Sequence, residues 1–193
     1  LTLKECCNTS DILFLCVKPQ DMPTLCKELS GEVNENQNIV SVAAGIKYES
    51  LKNSLPTKKI FRAMPNVGAK DNLGITAIFS DTDNTEVLEI FKFLGEAYEV
   101  ENEDQVDLHT VLIGSGPAFF YELLREFEKR MDSLVQDKDN KRLISIVFLS
   151  SLITSIKNGE SLDDLIESVA SKGGTTEAGL NYLYKEKFNE IFS

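Results

Sequence analysis

A pair of glycines among three hydroxyl side chains, close to the end of the chain, has the composition of an anion-binding loop. Gly173 and Gly174 precede Thr175 and Thr176, Ser171 stands two residues earlier, and a helical pattern follows. Several backbone N–H groups at a helix start lack acceptors and lie at the positive end of the helix dipole, so such a loop can hold a carboxylate. An ordinary capping loop is the alternative, but it needs only one Ser or Thr, so the composition favours a binding site.

A second candidate site, formed by Val17, Lys18, Pro19 and Gln20, follows from a strand that runs into a proline. Residues 12–17 form an uninterrupted apolar run of strand length, as expected for a parallel strand that is covered on both faces. The proline turns the backbone and places Lys18 at the edge of the sheet, where open α/β sheets bind ligands. A solvated loop lysine is the alternative, and Cys16, within the apolar run, is expected to be a small buried residue.

The end of the next apolar run offers a third candidate, because its side chains become small. Val42, Ala43 and Ala44 lead into Gly45, an arrangement that would let a flat ligand approach the backbone. Tight packing of a helix against the sheet explains the same pattern. Residues 62–66, Arg-Ala-Met-Pro-Asn, place an amide beyond another strand end, with an ordinary turn, in which the amide binds its own backbone, as the alternative.

These segments need a sheet to position them, and the first half of the chain has the pattern of one. Short apolar runs alternate with amphipathic helical stretches, which predicts an α/β fold with a doubly wound sheet. The predicted strands are residues 12–17, 39–44, 59–63, 75–79 and 97–100, and the predicted helices begin near Asp21, Tyr48 and Val87.

The second half of the chain has an entirely helical pattern. Helices are predicted over residues 106–131, with an interruption at 114–117, over 141–157, and after Ser161, Thr175 and Tyr184. We place the domain boundary near Asn102, so that residues 1–102 form the sheet domain and residues 103–193 form a helical domain. The acidic stretch 96–107 around this boundary is interpreted as a solvated linker face.

The helix predicted over residues 143–156 is apolar on nearly all sides. A single small helical domain cannot bury such a helix alone, so we infer an interface with another subunit. A central helix wrapped by its own neighbours is the alternative.

Composition limits the partners of the chain. The 193 residues include 20 Lys and Arg and 31 Asp and Glu, so the net charge is −11, and no basic cluster stands out. Because a net negative charge repels phosphate backbones and anionic lipids, we expect no nucleic-acid and no membrane partner. The longest apolar run is also shorter than the ~20 residues that cross a bilayer.

Cysteine and histidine usage argues against a metal site. The chain has four cysteines, all within the first 26 residues and without a Cys-x-x-Cys spacing, and one histidine, His109. A zinc site is therefore not expected, and His109 is given a structural role. Unpaired cysteines fit the reducing environment of the cytoplasm.

Five segments, in order along the chain, together resemble pyrroline-5-carboxylate reductase. They are DILFLCVKPQ at 11–20, SVAAGI at 41–46, RAMPN at 62–66, IGSGPAF at 113–119 and SKGGTT at 171–176. The resemblance implies reduction of 1-pyrroline-5-carboxylate to L-proline, the last step of proline biosynthesis, with NADPH or NADH as the cofactor. It also implies a Rossmann-type domain followed by a helical domain that interlocks with that of a second subunit, giving a homodimer or a higher homo-oligomer.

The resemblance further implies roles for single residues. The implied cofactor-binding residues are Cys16, Val17, Lys18, Pro19, Val42, Ala43 and Ala44. The implied substrate-binding residues are Ser171, Gly173, Gly174, Thr175 and Thr176. Two of these are candidate catalytic residues: Thr176, which would orient the imine nitrogen and relay its proton from water, and Lys18, which would reach toward the reacting pair.

The chain departs from the pattern of this family in two places. Family members begin with a strand and a glycine-rich phosphate-binding turn, and this sequence has no Gly-x-Gly-x-x-Gly, so we expect the Rossmann-type domain to be incomplete at its N-terminus. Lys172 stands where the family usually has proline. Two other functions therefore stay open: a non-catalytic homologue or fragment acting as a dimeric interaction protein, and a related imine or keto-acid reductase.

Overall fold

The computed structural model describes residues 2–192, and the chain divides into two compact units between Pro117 and Ala118. The first unit contains a five-stranded sheet whose strand order follows the sequence. Its strands are β1 (Ile12–Leu15), β2 (Asn38–Ser41), β3 (Ile60–Pro65), β4 (Gly74–Phe79) and β5 (Gly95–Glu99). The predicted strands are confirmed, although β1 and β2 end two and three residues earlier than expected.

One reversal of direction makes the sheet mixed rather than wholly parallel. Strands β1, β2 and β3 are parallel, β4 is antiparallel to β3, and β5 is parallel to β4. A short 3₁₀ turn at Val67–Asp71 connects β3 to β4, whereas a parallel return needs a crossover of about a dozen residues or more. The α/β fold is therefore confirmed, and the short connection explains why β4 runs against its neighbour.

Helices cover both faces of this sheet. The neighbouring residues Ile39 and Val40 of β2 are both fully buried, and they belong to separate apolar clusters. The helices that pack there are α1 (Leu3–Thr9), α2 (Met22–Leu29) and α3 (Tyr48–Ser54) around Ile39, and α4 (Thr85–Lys92) around Val40. A strand that is covered on both faces requires the continuous apolar runs seen in the sequence.

Helix α1 has no counterpart among the predicted elements. The hydroxyl of Thr2 accepts a hydrogen bond from the Glu5 N–H at 3.2 Å, and the Glu5 carboxylate accepts one from the Thr2 N–H at 2.7 Å. This capping box, Thr-x-x-Glu, is a signature from which a helix start can be predicted.

From Glu103 onward, the described residues form helices and no strand. The helices are α5 (Glu103–His109), α6 (Gly116–Met131), α7 (Lys138–Lys157), α8 (Leu162–Val169) and α9 (Thr175–Lys185), with a final 3₁₀ turn at Phe188–Phe192. A π-helical stretch, Thr110–Ser115, joins α5 to α6; it begins four residues before the interruption predicted at 114–117 and ends before Gly116, which starts α6. The short helix predicted after Tyr184 is the 3₁₀ turn at Phe188–Phe192, which starts later than expected because α9 continues to Lys185.

The apolar side chains of α7 stay exposed within the chain. More than half of the surface is exposed at Leu143, Ile146, Val147, Ile153 and Ile156. Neighbouring helices therefore do not wrap α7, which favours a subunit interface over a covered central helix. Among residues 2–192, no helix combines the length and the apolar character needed to span a membrane.

Candidate functional site

Three of the predicted segments meet at one edge of the sheet. Because β1, β2 and β3 are parallel, their carboxyl ends lie side by side, with Leu15 opposite Ser41 and Ser41 opposite Arg62. Beyond these pairs, the Val42 N–H donates a hydrogen bond to the Leu15 carbonyl at 3.3 Å. We call this edge the carboxyl edge; it comprises residues 16–19, 42–44 and 63–66. Ligands of open α/β sheets bind at such an edge.

The carboxyl edge exposes a thiol, an amine and a methyl group. Cys16, Lys18 and Ala44 are exposed, whereas Ala43 is buried. The prediction of a buried Cys16 is wrong, because β1 ends at Leu15 and the thiol lies beyond the covered part of the strand. In the described part of the chain, the Lys18 amine has no hydrogen-bond or ion-pair partner.

The backbone after Ala44 is open as well. Gly45 has a φ of +72°, which glycine adopts without steric cost, and no atom lies within 4 Å of the place where its Cβ would be. Val17 and Val42 are partly buried, and Pro19 is exposed. Small side chains and open backbone at adjacent strand ends suit a flat ring lying against the sheet.

Arg62, near the end of β3, is buried and paired with acidic residues of α5. Its side chain is 2% exposed, and its Nη1 and Nη2 lie 2.6 Å from Glu103 Oε1 and 3.0 Å from Asp107 Oδ1. Glu103 also accepts a hydrogen bond from the Tyr48 N–H at 2.5 Å. Lys47, whose Nζ lies 2.7 Å from Asp107, and Arg62 together hold the pKa of the Asp107 carboxyl below its usual range. The interpretation of the whole acidic stretch as a solvated linker face is therefore wrong for these two carboxylates.

Asn66, at the carboxyl edge, joins β3 to β4. Its Oδ1 accepts a hydrogen bond from the Ile75 N–H at 3.0 Å. The amide therefore binds the backbone of the next strand rather than that of its own turn. Since Arg62 is paired with α5, both polar side chains of segment 62–66 serve the fold: Arg62 links α5 to β3, and Asn66 links β3 to β4.

In the second unit, the glycine loop before α9 forms an open helix start. Gly174 is the N-cap residue, and its N–H donates a hydrogen bond to the Ser171 carbonyl at 2.9 Å. Gly173 has a φ of +75°, and a Cβ on Gly174 would lie 2.9 Å from the Ser171 carbonyl oxygen, so both positions favour glycine. Within residues 2–192, the hydroxyls of Ser171, Thr175 and Thr176 have no hydrogen-bond partner, which leaves them available to a ligand.

A second N–H group of this loop is bonded to a side chain of the protein itself. The Gly173 N–H donates to Glu177 Oε2 at 2.7 Å. Glu177 is the third residue of α9, a position from which an acidic side chain reaches back over the helix start. This contact is not among the predicted ones, because the N-cap residue Gly174 lacks the side chain that marks a capping box.

His109 is buried in the first unit and serves the fold, as predicted. Its Nδ1 lies 2.7 Å from the Tyr98 hydroxyl. Burial lowers the pKa of the imidazole, and the nearby backbone of Ile75 and Met64 opposes this shift in part. Among the residues that the structure describes, no group of three or more His, Cys, Asp or Glu side chains is placed to hold a metal ion.

The lowered pKa of His109 predicts a loss of stability in mildly acidic solution. The unfolded imidazole binds a proton near pH 6.5 and the folded one only at lower pH, so the free energy of unfolding falls as the pH drops below 6.5. Since His109 is the only histidine, the His109→Gln variant should show a flatter dependence of melting temperature on pH between about 7.5 and about 5.5. Equal slopes for the variant and the wild type would contradict this prediction.

Comparison with known proteins characterises both halves of the chain. Residues 103–193 match the family model described as pyrroline-5-carboxylate reductase dimerisation. Residues 1–45 match the model described as NADP oxidoreductase, coenzyme F420-dependent. The pyrroline-5-carboxylate reductase of Staphylococcus haemolyticus is 30% identical over 190 residues, which cover 95% of this chain and 70% of that protein. The chain spans from 65% to 72% of the lengths of such curated relatives.

Comparison with solved structures finds the same family of reductases. The 1-pyrroline-5-carboxylate reductase of Streptococcus pyogenes has a TM-score of 0.84 and 26% identity, over 98% of this chain and 74% of its own. The pyrroline carboxylate reductase of Plasmodium falciparum with NADP bound has a TM-score of 0.87 at 20% identity, over the same shares of the two chains, which is a likeness of fold.

These matches confirm the predicted architecture, a Rossmann-type α/β domain followed by a helical domain. The helical half matches a dimerisation family, which indicates that the protein is a homo-oligomer. The boundary near Asn102 stays a prediction: the helical family model begins at residue 103, whereas the compact units divide after Pro117. By its sequence identity and its fold, the chain belongs to the pyrroline-5-carboxylate reductase family.

Proposed function

We propose that the protein reduces 1-pyrroline-5-carboxylate to L-proline with NADPH or NADH, the last step of proline biosynthesis, in the cytoplasm. The single observation that carries this proposal is the membership of the reductase family. The match of residues 1–45 to an NADP oxidoreductase model and the NADP in the Plasmodium relative support the choice of cofactor. The four free cysteines fit a reducing compartment.

The carboxyl edge fits the nicotinamide half of this cofactor. One side of the ring would be lined by Cys16, Val17, Lys18 and Pro19. The other proposed cofactor-binding residues are Val42, Ala43 and Ala44. The exposed Ala44 and the open backbone at Gly45 would let a flat ring lie against the strand ends. When bound, the cofactor supplies the hydride that reduces the carbon of the C=N bond. The residues of this edge would orient the ring.

The glycine loop fits the substrate. The N–H groups at the start of α9 and the Ser171 and Thr175 hydroxyls would bind the carboxylate, and the positive charge of Lys172 would attract it. Reduction adds a proton to the imine nitrogen as the hydride reaches the carbon. Thr176 would hydrogen-bond that nitrogen and relay the proton from water, a role that its unpartnered hydroxyl supports.

The helical unit would form the homodimer. Its exposed apolar helix α7 supplies the surface that a second copy would cover, and the dimerisation family of this half supports that arrangement.

A loss of the Lys18 amine is expected to weaken cofactor binding. Lys18 is exposed at the carboxyl edge without a partner in the described residues, so its charge is available to the cofactor and the reacting pair. We expect the Lys18→Met variant to raise the KM for NADPH about tenfold, as expected for the loss of one charged contact. Lys58→Met is the matched control, because Lys58 is an exposed lysine before the amino end of β3, at the opposite edge of the sheet. Equal KM values for the two variants would contradict a role of Lys18 at the cofactor.

The proposed reaction is tested by the substrate dependence of NADPH oxidation. The full-length protein is expected to oxidise NADPH when 1-pyrroline-5-carboxylate is added and to release L-proline in equal amount. A dimeric interaction protein would show no oxidation, and a related reductase would oxidise NADPH faster with another cyclic imine or a keto acid. Either outcome would overturn the proposal.

A further inference from the structure

The glycine loop already holds a carboxylate of its own. Glu177 Oε2 accepts the Gly173 N–H at 2.7 Å, in the loop where the substrate carboxylate is expected to bind. Glu177 is exposed, and in the described part of the chain neither it nor Lys172 forms an ion pair. The negative charge of Glu177 is therefore not compensated by a neighbouring cation.

The loop does not depend on this contact for its shape. The Gly174 N–H is bonded to the Ser171 carbonyl at 2.9 Å, and the Ala178 N–H is bonded to the Gly174 carbonyl at 3.2 Å. The left-handed backbone of Gly173 fixes the turn between them. Glu177 can thus swing into solvent without unfolding the loop, since its side chain is exposed and its release breaks one hydrogen bond.

We propose that the Glu177 carboxylate competes with the substrate carboxylate for the Gly173 N–H and thereby sets the affinity of the enzyme for its substrate. This inference rests on the proposed function. One N–H group cannot serve two carboxylates with good geometry, and two carboxylates a few ångströms apart repel each other. Substrate binding therefore exchanges one carboxylate for another, while Lys172 remains available to the incoming one.

This exchange makes Glu177 a determinant of KM and not of kcat. The side chain has left the loop before the C=N bond is reduced, so its removal should not change the reacting geometry. Glu177→Gln removes the negative charge and keeps an oxygen that can accept the Gly173 N–H. Glu177→Ala frees the N–H group altogether.

The experiment measures steady-state kinetics of the full-length protein with 1-pyrroline-5-carboxylate at saturating NADPH. We expect Glu177→Gln and Glu177→Ala to lower the KM by about three- to tenfold, with kcat within about twofold of the wild type. The difference in KM between Glu177→Gln and the wild type should shrink as salt is added, because the repulsion acts between exposed charges. A purely structural contact would not show this salt dependence.

Glu186→Gln is the matched control. Glu186 is an exposed acid at the far end of α9, roughly 13 Å along the helix from Glu177, which is beyond the screening length at physiological salt. Its removal makes the same change in net charge and should leave the KM unchanged. An unchanged or raised KM in Glu177→Gln, or an equal decrease in Glu186→Gln, would overturn the inference. A wild-type protein that does not reduce 1-pyrroline-5-carboxylate would instead overturn the proposed function on which it rests.

Discussion

Replacement of Arg62 by methionine is expected to destabilise the first unit by about 3 kcal/mol or more, the range found when one partner of a buried ion pair is removed. The side chain of Arg62 is 2% exposed, and it bonds to both Glu103 and Asp107. Methionine keeps a long apolar side chain in the space but leaves Glu103 without a cation and Asp107 with Lys47 alone. The loss should appear as a decrease of roughly 10 °C in melting temperature.

The charge that Arg62 contributes is not replaceable from nearby. Lys47 contacts Asp107 but has no contact with Glu103, whose Oε1 also accepts the Tyr48 N–H. Loss of Arg62 therefore leaves Glu103 with a backbone donor alone, in a partly buried position. The same change removes both ion pairs between β3 and α5, so the damage extends beyond one hydrogen bond.

Lys92→Met is the matched control for this prediction. Lys92 lies 2.6 Å from Glu89, but both side chains are at least half exposed, and such pairs contribute about 0.5 kcal/mol or less. Thermal and urea denaturation of both variants give the comparison. Similar losses of stability in Arg62→Met and Lys92→Met would show that burial does not strengthen the Arg62 network.

The Arg62 network also shows where prediction from the sequence ends. Apolar runs predict β1 to β5 because each strand carries its own pattern, and helix caps such as Ser161 are equally local. Arg62 meets its acids 41 and 45 residues further along the chain, and nothing in the composition of an acidic stretch tells which carboxylates turn inward. Non-local ion pairs depend on packing, which a single sequence does not display.

The prediction that Cys16 is buried failed for a different physical reason. An apolar run shows which residues prefer burial, but the length of β1 is limited by its pairing with β2, which stops at Ser41. The run therefore extends beyond the strand, and Cys16 lies in the exposed part. The glycine loop was more predictable, because Gly173 and Gly174 are needed by a local turn. Its contact with Glu177 is local too, but the N-cap residue Gly174 carries no side chain that would mark a capping box.

Replacement of Thr176 by alanine is expected to lower kcat by about 10²-fold, the contribution typical of a group that assists proton transfer. Thr176 is the second residue of α9, is partly buried, and has a hydroxyl without a partner in the described part of the chain. Its removal leaves the nitrogen of the substrate without the donor that orients it, while the glycine loop keeps its carboxylate contacts. The loss should therefore fall on kcat and not on KM.

A serine at the same position distinguishes chemistry from packing. Thr176→Ser keeps the hydroxyl and loses only a methyl group, so it should retain most of the turnover that Thr176→Ala loses. Thr154→Ala is the matched control, because the hydroxyl of Thr154 bonds to the Ser150 carbonyl within α7 and has no place in the proposed site. If Thr176→Ala turns over at the wild-type rate, or if serine does not rescue it, the hydroxyl takes no part in proton transfer. The nitrogen would then draw its proton directly from water, and the loop would serve only to hold the carboxylate.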